Sequence, residues 1–360
     1  DGKETISDAI LGLVVLLGSY VILQTINPEL LNLRPLSLNV ARNEQIRTAD
    51  NSGNPNPSVN PDDYPSGTVG DIGCGAGRTE THFGQQFYVL PLRNNGYYQG
   101  QTPWGPIAYG PNLNESPAQS RNPCKSGSEQ GDGCIGTLAQ GACGPASVAT
   151  VAAYYGVMVA DPKANELVDN ARMWSGSGSN AQLQPLSQVS PRIATLLRAR
   201  SQSHLFDPLD AAALASRPGG GRVVNGGTTS LNFVRFIPGG FTSRTISASP
   251  TRSAEIARLI QSGEPVVFHC RLCQMNQLRN AGGTPTIGSR EGHFMVLHGV
   301  SQNGEHFLIH DVGWSNENDP HIGLTISAQE LNTAPSDRVA TWEVRPENRS
   351  IQNCGNPTTG

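Results

Sequence analysis

Cys143 has the strongest claim to chemistry in this 360-residue chain, because of the residues on its C-terminal side. Gly144-Pro145-Ala146-Ser147 leads into a run of alanines and valines that closes on Tyr154-Tyr155-Gly156. Proline suits a first helical turn and glycine suits the position just past a last one, so the stretch reads as a short buried helix that opens at the cysteine. The unpaired N–H groups and the dipole at a helix start favour an anion, and the thiolate is the reactive form of cysteine. Cys143 is therefore a candidate nucleophile. Alone, the pattern also suits a small buried apolar cysteine, so its partners decide.

A nucleophilic cysteine needs a base, and the base needs an orienting group. Residues 292–300 (Gly-His-Phe-Met-Val-Leu-His-Gly-Val) and 306–314 (His-Phe-Leu-Ile-His-Asp-Val-Gly-Trp) are rich in strand formers, with the turn signal Asn303-Gly304 between them. A hairpin whose three-residue loop is Gln302, Asn303 and Gly304 sets Val300 opposite His306 and Met295 opposite Asp311. His293 and Asp311 then project diagonally from one face, a spacing that an imidazole and a carboxylate bridge. A two-residue loop would place them on opposite faces. His298, His306 and His310 read as ordinary sheet histidines.

These pieces resemble the papain-like cysteine peptidases of family C thirty-nine, in particular the broad bacterial branch related to the peptidases that process bacteriocin leaders. The likeness rests on Cys143-Gly-Pro-Ala-Ser147 with its Tyr-Tyr-Gly end, Gly292-His293-Phe294 opening a strand, and Asp311 a hairpin later. The stretch Tyr97-Tyr98-Gln99-Gly100-Gln101-Thr102-Pro103-Trp104, followed by Tyr109-Gly110, is similar to that branch's entry motif, and Gly263-Glu264-Pro265-Val266-Val267 resembles a core strand of it. The likeness covers the chain from about Phe87 to Val344.

The resemblance implies an α+β, papain-like fold, with a helical half packed on an antiparallel sheet. It implies Cys143 as nucleophile, His293 as general base and Asp311 as the residue orienting the imidazole. Gln99 becomes the side-chain donor to the oxyanion beside the Cys143 N–H. Gln140 is the alternative, since the family's glutamine often lies only a few residues before the cysteine. The expected activity is hydrolysis of a peptide or isopeptide bond in a peptide or protein substrate, through a thioester acyl-enzyme. The other readings are a cell-wall peptide amidase or transpeptidase, a non-catalytic peptide-binding module, and a secretion-associated structural protein.

The elements that position these residues occupy only part of the chain. Residues 9–26, from Ala9 to Ile26, are nearly continuous in apolar types, and roughly 18 residues meets the lower length for spanning a bilayer. Residues 1–33 are accordingly read as a transmembrane anchor. The sequence opens on Asp1 rather than methionine, as a processed chain or a fragment would. Residues 34–85, rich in Asn, Pro, Ser, Gly and Asp, read as a flexible linker, 86–346 as the peptidase domain and 347–360 as a tail. Within 86–346, residues 163–174, 191–200 and 251–261 show helical periodicity, the last capped by Ser249 or Thr251 and stopped by Gly263. Residues 111–136 and 216–247 read as insertions.

The net charge is −4 and there is no basic cluster, which argues against nucleic-acid binding. The glycine runs lack the strand, helix and lysine of a phosphate-cradling loop, and no dedicated cofactor is expected. Of seven cysteines, setting Cys143 aside leaves Cys74, Cys124, Cys134, Cys270, Cys273 and Cys354, an even set that suits disulfides in an oxidising compartment. Cys124 and Cys134 flank a polar loop that a bridge would staple. His269-Cys270-Arg271-Leu272-Cys273 offers three metal ligands without a matching second pair, so a disulfide or free thiols fit it better than zinc. Arg34 and Arg42 against Lys3 lean towards a cytoplasmic main domain, and the cysteines lean the other way. The reading adopted is a membrane-anchored protein whose main domain lies outside the cytoplasm, with cell-envelope or secretion partners.

Overall fold

Runs of β-branched and aromatic residues, most of them in the C-terminal part of the chain, assemble into an antiparallel sheet, ten-stranded among the described residues. Its strands are β1 (Arg78–His82), β2 (Gln85–Val89), β3 (Phe241–Ile246), β4 (Val266–Cys270) and β5 (Gln274–Gln277). They continue with β6 (Thr284–Ile287), β7 (His293–Ser301), β8 (His306–His310), β9 (Leu324–Ser327) and β10 (Val339–Pro346). The spatial order is β3-β10-β4-β7-β8-β9-β5-β6, and the β1–β2 hairpin joins through pairing of β2 with the far end of β7. Helices complete an α+β architecture.

The computed structural model describes residues 66–69, 77–82, 84–92, 96–100, 103–109, 136–160, 168–176, 181–198, 203–216, 223–224, 227–228, 230–277, 284–287, 292–313 and 323–347. All belong to one compact unit, Val59–Gly360. Among them no helix is long and apolar enough to cross a membrane. The expected anchor at residues 9–26, together with Cys74, Cys124, Cys134 and Cys354, lies outside the described residues.

Helix α1 (Cys143–Tyr154) is the centre of the fold, and every residue from Gly144 to Tyr154 is buried. A helix apolar all round belongs inside a core, and α1 packs against β4, β7 and β10 on one hand and against α2 (Pro208–Ala215) on the other. Val148 and Val151, both fully buried, each stabilise the chain by roughly 1.5–3 kcal/mol relative to an exposed side chain. Gly156, with φ 72°, ends the run in the left-handed conformation, and the Tyr154 hydroxyl donates to the Gly263 carbonyl at 3.0 Å, tying the helix end to the approach to β4.

Helix α2 starts on a reciprocal cap. Asp207 Oδ1 accepts from the N–H groups of Leu209 (2.9 Å) and Asp210 (3.2 Å), while Asp210 Oδ2 accepts from the Asp207 N–H at 3.0 Å. His204 Nε2 joins Asp210 Oδ2 at 2.9 Å, so this His204–Asp207–Asp210 cluster has a capping role. Helix α3 (Arg252–Gln261) begins after Thr251, which holds the N-cap position without a side-chain cap bond, and it packs against α4 (Ala328–Thr333).

The structure corrects several sequence expectations. Ser66–Val69 and Arg78–His82, inside the segment read as a linker, are strands. The second has mostly exposed polar side chains, so its composition resembled a linker's. It is ordered through backbone pairing to β2, whose Phe87 and Val89 are buried. Residues 172–174, read as the end of a helix, lie in the strand Arg172–Ser175, which pairs with Gln182–Pro185. Met173 and Trp174 fit a half-buried strand as well as they fit a helix face. Residues 241–246, read as part of an insertion, are the edge strand β3 paired along β10.

Cys270 and Cys273 form a disulfide across the turn from β4 to β5, where Leu272 has a φ of 53°. This excludes the zinc alternative for that pair of sulfurs. Closing so short a loop removes denatured-state entropy worth about 2 kcal/mol. The double variant Cys270→Ala/Cys273→Ala should unfold at lower urea with a stability loss of that order. A midpoint equal to wild type would show that the bond does not constrain the denatured chain.

Candidate active site

Cys143 is the first residue of α1, a free thiol of intermediate exposure. The first-turn N–H groups have no intrahelical acceptor, which leaves them for the sulfur and for a ligand's oxygen. His293 opens β7 and Asp311 follows β8 directly. His293 Nε2 lies 2.6 Å from Asp311 Oδ1, and the imidazole also hydrogen-bonds the Cys143 sulfur. With Nε2 on the carboxylate, Nδ1 is the nitrogen left for the thiol. The structure thus brings the three residues into one line.

The hairpin reaches this alignment by a different route from the one expected. Val300 faces Phe307, not His306, and the loop is residues 302–305, one longer than expected. That register alone would put His293 and Asp311 on opposite faces, because one residue of slip flips every side chain. A bulge between Leu297 and Gly299 absorbs the extra residue at His298, so that Leu297 faces Ile309 and Val296 faces His310. One step on, Met295 comes opposite Asp311 and the dyad shares a face. The bulge is locked in place: the Leu90 N–H donates to the His298 carbonyl at 2.8 Å, and His298 Nδ1 meets the Leu90 carbonyl at 3.2 Å.

Electrostatics favour the ion pair. Burial pushes the Cys143 thiol up, but the hydrogen bond and charge of His293, with the N–H groups of Phe294 and Gly144, outweigh it and hold the thiol below its ordinary value. Burial alone would push His293 down. The Asp311 hydrogen bond, the Cys143 contact and the two negative charges overcome that and carry it up to about 10. His298, by contrast, is pushed down to about 4, first by burial and then by the neighbouring His310. His310 is lowered by burial and bonds the Tyr97 carbonyl at 3.0 Å, away from the thiol.

Gln99 is buried, with its N–H donating to the Val312 carbonyl at 2.8 Å and its side-chain Nε2 donating to the Ala139 carbonyl at 2.8 Å. It therefore bridges the segment after Asp311 and the turn before Cys143. One amide N–H is used by Ala139, and the buried Oε1 has no hydrogen-bond partner among the described residues. Gln140 is occupied elsewhere. Its Oε1 accepts the Thr137 N–H at 3.0 Å in a capping box at the start of the Leu138–Gly141 helix.

Two site residues escaped sequence reading. The Phe294 N–H reaches the sulfur, and nothing in a side-chain pattern announces a backbone donor. Gly313 donates its N–H to Asp311 Oδ1 at 2.8 Å. A Cβ there would stand 2.9 Å from His293 Nε2 and 3.1 Å from Asp311 Oδ1. The Asp311-Val312-Gly313 turn was the available signal. Gly313→Ala should pry the dyad apart and slow alkylation of Cys143 at pH 6 about tenfold, with little change in unfolding midpoint. An unchanged alkylation rate would show that the dyad tolerates the added methyl.

No protein-family model, curated protein or solved structure matches the chain.

Proposed function

We propose that this chain is a cysteine peptidase of papain-like fold, similar to family C thirty-nine, which hydrolyses a peptide or isopeptide bond through an acyl-enzyme on Cys143. The observation that carries the proposal is a helix-start thiol held below its ordinary pKa by an imidazole whose other nitrogen is bound by a buried carboxylate at 2.6 Å.

In the proposed reaction the Cys143 thiolate attacks the carbonyl carbon, and a C–S bond forms as the carbonyl π pair moves to oxygen. The Cys143 N–H and the second Gln99 amide N–H hold that oxyanion. As it collapses, the C–N bond breaks and the His293 imidazolium gives its Nδ1 proton to the departing amine. His293, now neutral, takes a proton from water, and the hydroxide attacks the thioester and releases the acid and the thiolate. Asp311 stays ionised throughout, fixing the tautomer. The Cys270–Cys273 disulfide supports a domain that works in an oxidising compartment outside the cytoplasm.

The test is turnover of a mixed-sequence peptide library by the full chain and by Cys143→Ala. Cleavage by the wild type that vanishes in the variant supports the proposal. Equal cleavage by both, or none by either across the library, removes it.

A further inference from the structure

The strand that presents the base is flanked by a side chain the mechanism has not used. His269 on β4 is paired directly with Phe294 on β7, and Cys270 is paired with His293. The His269 ring lies over Gly292, which has a φ of 84°, so closely that a Cβ at that glycine would stand 2.1 Å from Nε2. The same ring packs on Phe294 with centroids 4.8 Å apart, and Phe294 in turn lies 5.6 Å from Trp342. His269 therefore touches both chain neighbours of His293. One of them donates its backbone N–H to the Cys143 sulfur.

We infer that His269 is a positioning residue, whose ring clamps the Gly292-His293-Phe294 backbone so that the His293 imidazole and the Phe294 N–H converge on Cys143. The inference rests on the cysteine-peptidase reading above, and it explains the glycine before the base, since any side chain there would displace the clamp. The ring works as a neutral packing surface. Burial, then the charges of His293 and Arg271, push its pKa down to about 4, so it adds no positive charge beside the imidazolium at neutral pH.

A packing role and a proton-carrying role give different results on substitution. His269→Phe keeps a ring on Gly292 and Phe294, and His269→Ala removes it. The experiment uses the full chain and two readouts: the pH profile of Cys143 alkylation by iodoacetamide, and an NMR titration of the ¹⁵N-labelled His293 ring. His269→Phe should alkylate within about twofold of wild type. His269→Ala should be about tenfold slower at pH 6, with its thiolate limb moved to higher pH. In the titration, His293 should keep its raised pKa in His269→Phe and fall towards the ordinary value in His269→Ala. A wild-type profile in His269→Ala, or a loss in His269→Phe as large as in His269→Ala, overturns the inference. If wild-type Cys143 proves unreactive the peptidase reading fails. The His293 titration still decides whether His269 positions the ring.

Discussion

His293→Ala is expected to slow alkylation of Cys143 at pH 6 on the order of a hundredfold. In the wild type the imidazolium holds the thiol below its ordinary value, so a larger share of molecules carries the thiolate at that pH than in the variant. Without His293 the sulfur keeps only the Phe294 and Gly144 N–H groups against its burial, and its pKa rises to about 8.5 or above. A thiol of that pKa is well under one per cent ionised at pH 6, and the greater intrinsic reactivity of a more basic thiolate offsets only part of the loss. The pH profile fixes the cause. The wild-type thiolate limb should lie at lower pH than that of the variant, which should climb through pH 8 and beyond. Profiles that superimpose would mean that His293 does not ionise the thiol.

The same pair links charge to stability with opposite signs. His293, raised in the folded chain to about 10, adds stability that is complete below the ordinary histidine value of about 6.5 and is lost as pH climbs through about 10. Cys143, lowered in the folded chain, adds a share that is complete above about 8.5 and is lost as pH falls through its folded value. Turnover should follow the window between them, failing on the acid side as the thiol protonates and on the alkaline side as the general acid is lost.

Arg252→Leu is expected to destabilise the chain by about 3–5 kcal/mol. Arg252 is only 1 % exposed. Its guanidinium donates to the carbonyls of Leu331, Ala334 (2.7 Å) and Val339 (2.8 Å). Leu331 lies in the last turn of α4 and Ala334 is its C-cap, so the cation sits at the negative end of that helix and ties it to the start of β10. Leucine would recover apolar burial but strand three buried carbonyls. Arg252→Lys keeps the charge without the planar fork and should fall between the two. Urea unfolding gives the measurement, and a Leu variant within about 1 kcal/mol of wild type would show that water or relaxation satisfies those carbonyls.

The sequence was most legible where one local rule ruled out the alternatives. Gly144-Pro145 after a cysteine and Gly156 after an apolar run bracket α1 because helix ends need those conformations. It was less legible where two rules offset each other, as in the β7–β8 hairpin. The loop is longer than Asn303-Gly304 suggested, and the bulge at His298 restores the parity. Asp311 thus shares a face with His293 as expected, through a register that was not. Strand β1 was hidden because its side chains are polar and its order comes from pairing. Arg252 and His269 were hidden because their roles depend on which backbone passes over them, and only the tertiary fold decides that. Gln99 and Gln140 are separated by hydrogen bonds rather than by spacing, one bridging to Ala139 and the other committed to Thr137.

A covalent acyl-enzyme on Cys143 is detected by mixing the full chain with an activated p-nitrophenyl ester and following nitrophenol release together with intact mass. The expected result is a burst of one nitrophenol per chain, an acyl adduct mapped to Cys143, and its decay as water regenerates the thiol. No burst, or an adduct carried by any other residue, would contradict it.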